Sequence, residues 1–240
     1  MTPDSNSPMP EIVRLPGGEF WMGQEDGRDD ERPLHCVRVF AFALGLTQVT
    51  NAQYDRFCKE TARPLARFRH DPGFDRLDHP VAGVSWFDAL TYCQWLTSLT
   101  GECFRLPTEA EWEWAARGGR ERGLYPWGDE DVTQRENYQS RWLAGPEPVA
   151  TSAPNGYGLF DLCENVHEWC SDWYSPSYYA LSPDTDPRGE THGTRRASRG
   201  GSWRHHIKIS RCAARSSIPP EFEYADYGFR VACELPGART

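Results

Sequence analysis

Apolar and polar residues alternate along two early stretches. EFWMG (19–23) and HCVRVFAFALG (35–45) interleave rings and aliphatic groups with other residues, and they are bounded by Gly17-Gly18 and Arg32-Pro33. Two strands are therefore expected, joined by the charged loop QEDGRDDERP. The period then changes. Thr50 reads as a helix cap, with Tyr54, Phe57 and Cys58 at helical spacing and an end near Thr61, before Pro64. Ser85 opens a second helix with an apolar stripe of Trp86, Leu90, Tyr92 or Cys93, and Leu96. Thr108 with Glu111 makes a capping box for a third, stopped by Gly118-Gly119. Trp112 and Trp114 cannot share one helix face, so one of them is expected against a loop.

Elsewhere the patterning fades. Residues 62–79 read as a surface loop anchored by Phe68 and Phe74, and residues 120–198 as loops punctuated by Pro and Gly. Within them lies NGYGLFDLCENVHEWCSDW (155–173), which fits neither the helical nor the strand period. RGGSW (199–203), RCAARS (211–216) and YGFRVACEL (227–235) are three short strand-like runs expected to form a small antiparallel sheet. Residues 1–10 are expected to be a flexible tail and 11–240 a single domain, with no internal repeat.

Composition narrows the class. In 240 residues there are 10 Trp, 10 Tyr and 11 Phe against 21 Gly and 19 Pro, which describes large rings held by turns and loops with moderate regular structure. The formal charge of −9 comes without a basic tail or helix, so phosphate-backbone binding lacks its driving term and nucleic acid is not expected as a partner. The first residues, MTPDSNSPMPEIV, have neither a basic start nor an apolar core, and no apolar run reaches bilayer length. A cytoplasmic location without membrane contact is the expectation, with the eight cysteines mostly reduced and buried.

The stretch GLFDLCENVHEW (158–169) resembles the GLYDMxGNVWEW signature of the formylglycine-generating enzyme family, whose fold is related to C-type lectins. Other segments keep that family's order: LPGGEFWMG (15–23), TQVTNAQYDRF (47–57), HPVAGVSWFDALTYCQWL (79–96), RLPTEAEWEWAARGG (105–119), YPWGDE (125–130), RGGSW and YGFRVA. The resemblance implies an α+β, irregular, loop-rich fold with two to three helices and small antiparallel sheets.

For chemistry, the resemblance implies a pair of copper-binding cysteines in the loop after RGGS[WY]. Soft thiolates select Cu(I), and two are needed for linear coordination. Here residues 204–210 read RHHIKIS, without cysteine and about three residues shorter than the family loop, and His205 falls at or beside the first missing cysteine. No copper is expected, and formylglycine formation by that mechanism should be lost. Cys212 and Cys93 match halves of disulfides in secreted relatives. Their partner positions are Ala116 and Val231, although Cys233 lies two residues from the latter.

The resemblance also implies a calcium site, with Asp161 and Glu168 contributing side chains and Glu164 and Val166 carbonyls. Oxygen-only ligands suit a hard cation, but Glu164 replaces the usual glycine. A second family site matches only at Asn137 and Tyr138. Arg199, Ser202, Arg211, Arg215 and Arg230 gather in the closing segment, and Arg215 and Arg230 are expected to make buried hydrogen bonds or salt bridges that hold the loops. Trp203, Arg204, His205, His206, Lys208, Phe222, Tyr224 and Tyr227 fall on segments that form the ligand-facing surface in relatives, and their mix of rings and polar tips suits protein recognition.

Two functions follow. One is a bacterial, protein-binding member without the family's catalysis, in the manner of immunity proteins that neutralise secreted toxins. The other is an oxidoreductase with a non-thiolate, His-based metal site at His205 or His206.

Overall fold

A computed structural model describes residues 7–130 and 145–237. Three helices stand where the caps predicted them. Thr50, Ser85 and Thr108 are extended N-caps whose side-chain oxygens each accept from the backbone N–H of the third helical residue. Gln53, Asp88 and Glu111 return the bond in all three capping boxes, satisfying donors a helix start leaves open. The helices are α1 (Asn51–Thr61), α2 (Trp86–Thr100) and α3 (Glu109–Arg117), and α2 and α3 end on left-handed Gly101 and Gly118.

The two tryptophans of α3 divide as their spacing requires. Trp112 is fully buried, while Trp114 is half-buried against Phe20 and Tyr157 and donates to the Pro16 carbonyl.

The early chain forms more strands than expected. β1 (Ile12–Leu15) lies ahead of the alternating stretches, β2 (Gly18–Met22) follows it, and the run 35–45 yields both β3 (His35–Val39) and β4 (Phe42–Gly45) because it breaks at Phe40-Ala41. β2 pairs with β3, whereas β1 pairs with β4, so the chain changes sheet twice in step. The two crossings touch at Gly17, where a Cβ would stand 2.8 Å from both the Ala41 nitrogen and the Val39 carbonyl oxygen.

After β5 (Phe104–Arg105) and α3 come β6 (His167–Trp173), β7 (Arg196–Arg199), β8 (Arg215–Ile218), β9 (Tyr227–Gly228) and β10 (Ala232–Glu234). These build two four-stranded sheets, β1-β4-β10-β5 and β8-β7-β6-β9.

The last strands correct the expectation of one closing antiparallel sheet. β7 and β8 do pair antiparallel, but the run 227–235 serves both sheets. β9 runs parallel to β6, and β10 lies antiparallel between β4 and β5. The three residues between them, Phe229, Arg230 and Val231, are fully buried and stitch the sheets together.

A large cluster around Tyr54, Phe57, Tyr92, Leu96, Trp169 and Phe229 packs α1 and α2 against these strands, and Met9, within the expected tail, lies partly buried against it. A second gathers Trp112, Leu159, Leu162, Cys163 and Cys212.

All eight cysteines are free, six of them buried. Cys93 and Cys233 share the first cluster as thiols. Ala116, Cys163 and Cys212 share the second, where burial and the hydrogen bond between the two thiols push the Cys163 thiol well up.

The core also holds charge. Arg230 grips Glu168 in a bidentate pair, Arg215 grips Glu109, and Arg199 pairs with Glu113, which also holds Arg117. Arg199, Glu113, Glu168 and Arg230 are fully buried, so each charge is tolerable only because its partner is present. Among the described residues no helix is long and apolar enough to cross a membrane.

Candidate functional site

Residues 161–166 curl because three non-glycine residues in them are left-handed: Asp161 (φ 60°), Cys163 (φ 69°) and Asn165 (φ 62°). Asp and Asn tolerate that region better than most residues, and the curl brings carbonyls together that a strand would alternate. The carbonyls of Asp161, Glu164 and Val166 and the carboxylate Oε1 of Glu168 converge on the Nε2 of the fully buried Gln48, at 3.4, 3.1, 3.5 and 3.0 Å. Only a donor suits a ring of acceptors, so the amide nitrogen faces them, and Gln48 Oε1 is left buried without a partner.

This cradle is the one implied for calcium, and its groups do not fit the ion. An amide group fills the centre, and the Glu168 carboxylate is already neutralised by Arg230 at 2.7 and 2.8 Å and bonded by Trp112 Nε1 at 2.6 Å. The Asp161 carboxylate turns instead to the Ala150 N–H at 2.7 Å, and Glu164 Oε2 accepts from the Ser152 hydroxyl. Asn137 and Tyr138 of the second implied site lie outside the described residues.

The other candidate residues surround one end of the mixed sheet, where β6, β8 and β9 begin and β7 ends. The loop from β7 to β8 lies over it. Phe222 and Tyr224 form an exposed ring pair, 39% and 46% exposed with centroids 5.6 Å apart. Trp203 is half-buried against Phe74 and donates to the Ala225 carbonyl, and Arg204 and Lys208 reach solvent. His206 caps the short turn Ile207–Ile209 by accepting from the Lys208 N–H.

Tyr227 departs from the surface expected for it. It is 4% exposed, packed against His167 and Trp169, with its hydroxyl within reach of Ser198 and Ser216. It therefore supports the groove from below.

His205 stands in a cluster the alternating pattern did not foretell. His167 opens β6, and its N–H donates to the Asp226 carbonyl at 2.8 Å, so the β6–β9 register fixes those two residues side by side. The turn after β7 brings in His205, whose N–H donates to the Ser202 carbonyl. Its ring is 5.1 Å from that of His167, and its Nε2 is 3.7 Å from Asp226 Oδ2. One ligand-type atom from each of the three lies within 4.8 Å of the others.

Burial drives the His167 pKa down to about 3 against the opposing pull of Asp226, so its ring is neutral across the physiological range. His167 stands where the GLYDMxGNVWEW signature has a tryptophan, and His205 falls at or beside the first missing cysteine of the resemblance. That paired replacement was the signal available in the sequence; Asp226 carried none.

A cavity of about 90 Å³ adjoins the cluster, lined by His167, His205, Gly200, Gly201, Ser210 and Ala214 among others, with Arg28, Arg199 and Arg215 in its walls. The segment 204–210 that covers it contains no cysteine.

Fold and site together define a loop-rich α+β protein of the formylglycine-generating-enzyme type, with its groove at one end of the mixed sheet. Residues 1–235 match the sulfatase-modifying factor enzyme 1-like domain, and the chain belongs to that family. It is 37% identical over 283 residues to the formylglycine-generating enzyme of Streptomyces coelicolor, covering 92% of this chain and 88% of that protein. It is 30% identical over 286 residues to the inactive C-alpha-formylglycine-generating enzyme 2 of Mus musculus, covering 93% and 85%. Among solved structures, PvdO from Pseudomonas aeruginosa superposes with a TM-score of 0.85 at 29% identity over 98% of each chain.

Proposed function

We propose that this family member does not oxidise thiols through a copper–thiolate pair and that its groove recognises another protein, the specific form being an immunity protein that neutralises a secreted bacterial toxin. The observation that carries the reading is the rim. Around a groove whose covering segment has no cysteine, two exposed rings, Phe222 and Tyr224, stand with half-buried Trp203 and the exposed cations Arg204 and Lys208. Aromatic and arginine side chains are the anchors that protein interfaces favour, and exposed rings gain most from being covered.

The test is isolation of the chain from its native host. A stoichiometric 1:1 protein partner that is lost with a Phe222→Ala/Tyr224→Ala variant supports recognition. Absence of any stoichiometric partner removes it, and conversion of a cysteine-bearing peptide to its aldehyde by the purified chain removes the first half of the proposal.

A second reading, a metal-dependent oxidoreductase with a His-based site, is favoured by the His167, His205 and Asp226 cluster. Its test is oxygen uptake by iron- or copper-supplemented protein with thiol and amine substrates, and uptake no faster than that of apoprotein removes it.

A further inference from the structure

We propose that His167, His205 and Asp226 bind one divalent transition-metal ion, of the class held by two imidazoles and a carboxylate. The donor set is the first argument. Two imidazole nitrogens with one carboxylate oxygen suit Fe(II), Zn(II) or Co(II) and leave positions open on the ion, whereas Ca(II) wants oxygen alone and Cu(I) wants sulfur.

The second argument is geometry. Donors at about 2.1 Å from a common ion stand about 3.4 Å apart around a tetrahedral ion and about 3 Å apart in an octahedron. Here His205 Nε2 and Asp226 Oδ2 are already 3.7 Å apart and the whole set lies within 4.8 Å. The remaining closure falls to His205, whose side chain is 40% exposed on a turn, while His167 and Asp226 are held by their backbone bond and are 6% and 5% exposed.

The third argument is an orphaned group. His167 is buried, yet its Nδ1 has no hydrogen-bond partner, a condition a folded core seldom leaves uncorrected. The carboxylate, in contrast, is already oriented: Ser202 Oγ donates to Asp226 Oδ2 at 3.0 Å and Arg204 Nη1 lies 3.4 Å from Oδ1. Such outer contacts are what fix a ligating carboxylate. The adjoining cavity of about 90 Å³ leaves room for water or a small co-ligand on the open side of the ion.

The inference is independent of the identity of any protein partner, since binding is read on the isolated chain. The full chain, prepared without a His-tag and stripped with chelator, is titrated with Zn(II) by calorimetry and with Co(II) by visible absorption. The expected result is saturation at one ion per chain with a Co(II) spectrum of low coordination number. His205→Ala and Asp226→Asn each weaken binding by at least about tenfold, the scale on which even supporting contacts act. His206→Ala binds like the parent. Because His167→Ala empties a buried position and can fail to fold, the more exposed His205 carries the decision. No saturable binding, or binding unchanged in His205→Ala, overturns the proposal.

Discussion

Two regions of β6 and its surroundings, one residue apart in sequence, are finished to different degrees. At Glu168 the charge is closed: an arginine, a tryptophan and a glutamine amide meet the carboxylate, the neighbouring carbonyls share the same amide, and only the far oxygen of that amide is left over. At His167 the ring is also buried, but its Nδ1 is without a partner and the ring lines a cavity beside His205. A core that neutralises its own charge has no use for an ion. At His167 one buried nitrogen is left unpartnered beside His205 and Asp226, and that corner is where the proposed ion is assigned.

The comparison can be broken first at Arg230. Replacing it with Leu leaves the Glu168 carboxylate buried without its counter-charge, and the loss should be about 3–5 kcal/mol in urea unfolding. A loss under about 1 kcal/mol would mean that the closed region is not closed by that pair.

Gln48→Ala is next. It strips the donor from four acceptors and should cost about 2–3 kcal/mol. The parent should melt at the same temperature in calcium and in chelator, the outcome expected if the Gln48 amide holds the centre of the cradle. Gln48→Glu sharpens the point: a second carboxylate in place of that amide should make stability rise with calcium, read as a calcium-dependent melting temperature.

A third prediction concerns Asp172, further along β6. Burial, then the neighbouring Glu109 carboxylate, raises its pKa from 3.8 to about 7. The folded state thus holds this proton more tightly than the unfolded chain does. Its contribution to stability is present below the unfolded value of 3.8 and is lost as pH rises towards about 7. Asp172→Asn should flatten that decline in a series of unfolding curves from pH 4 to 8. A decline of the same slope in the variant would place its origin elsewhere.

The smallest effect is expected at the rim. Phe222→Ala/Tyr224→Ala should change stability by no more than about 1 kcal/mol, because both rings are substantially exposed, while abolishing capture of a protein partner.

Much of this was legible one residue at a time. Thr50, Ser85 and Thr108 announce helices because a cap and its return bond involve neighbours three apart, and the structure honours all three. Arg215 and Arg230 were readable as arginines satisfied by buried hydrogen bonds or salt bridges, and the structure makes them ion pairs with Glu109 and Glu168. What failed involved distance. The run 227–235 reads as one strand, yet it is divided between two sheets, since the pairing partners β6, β4 and β5 lie far away in the chain. Tyr227 was placed on the surface for its type and segment, and the same pairing buries it. The carbonyls of Glu164 and Val166 converge as the family pattern implied, but what they converge on is set by Gln48, more than a hundred positions earlier.

The sequence by itself determined the family, the three helices, the absence of sulfur donors from residues 204–210 and the acidic charge, because each is a matter of residue type or of spacing within a few turns of chain. Only the tertiary structure decided that an amide sits where a cation was expected and that His167, His205 and Asp226 share one corner. Those outcomes depend on side chains meeting across separate strands and loops, and the register and curl that bring them together are fixed by the packing of the whole core.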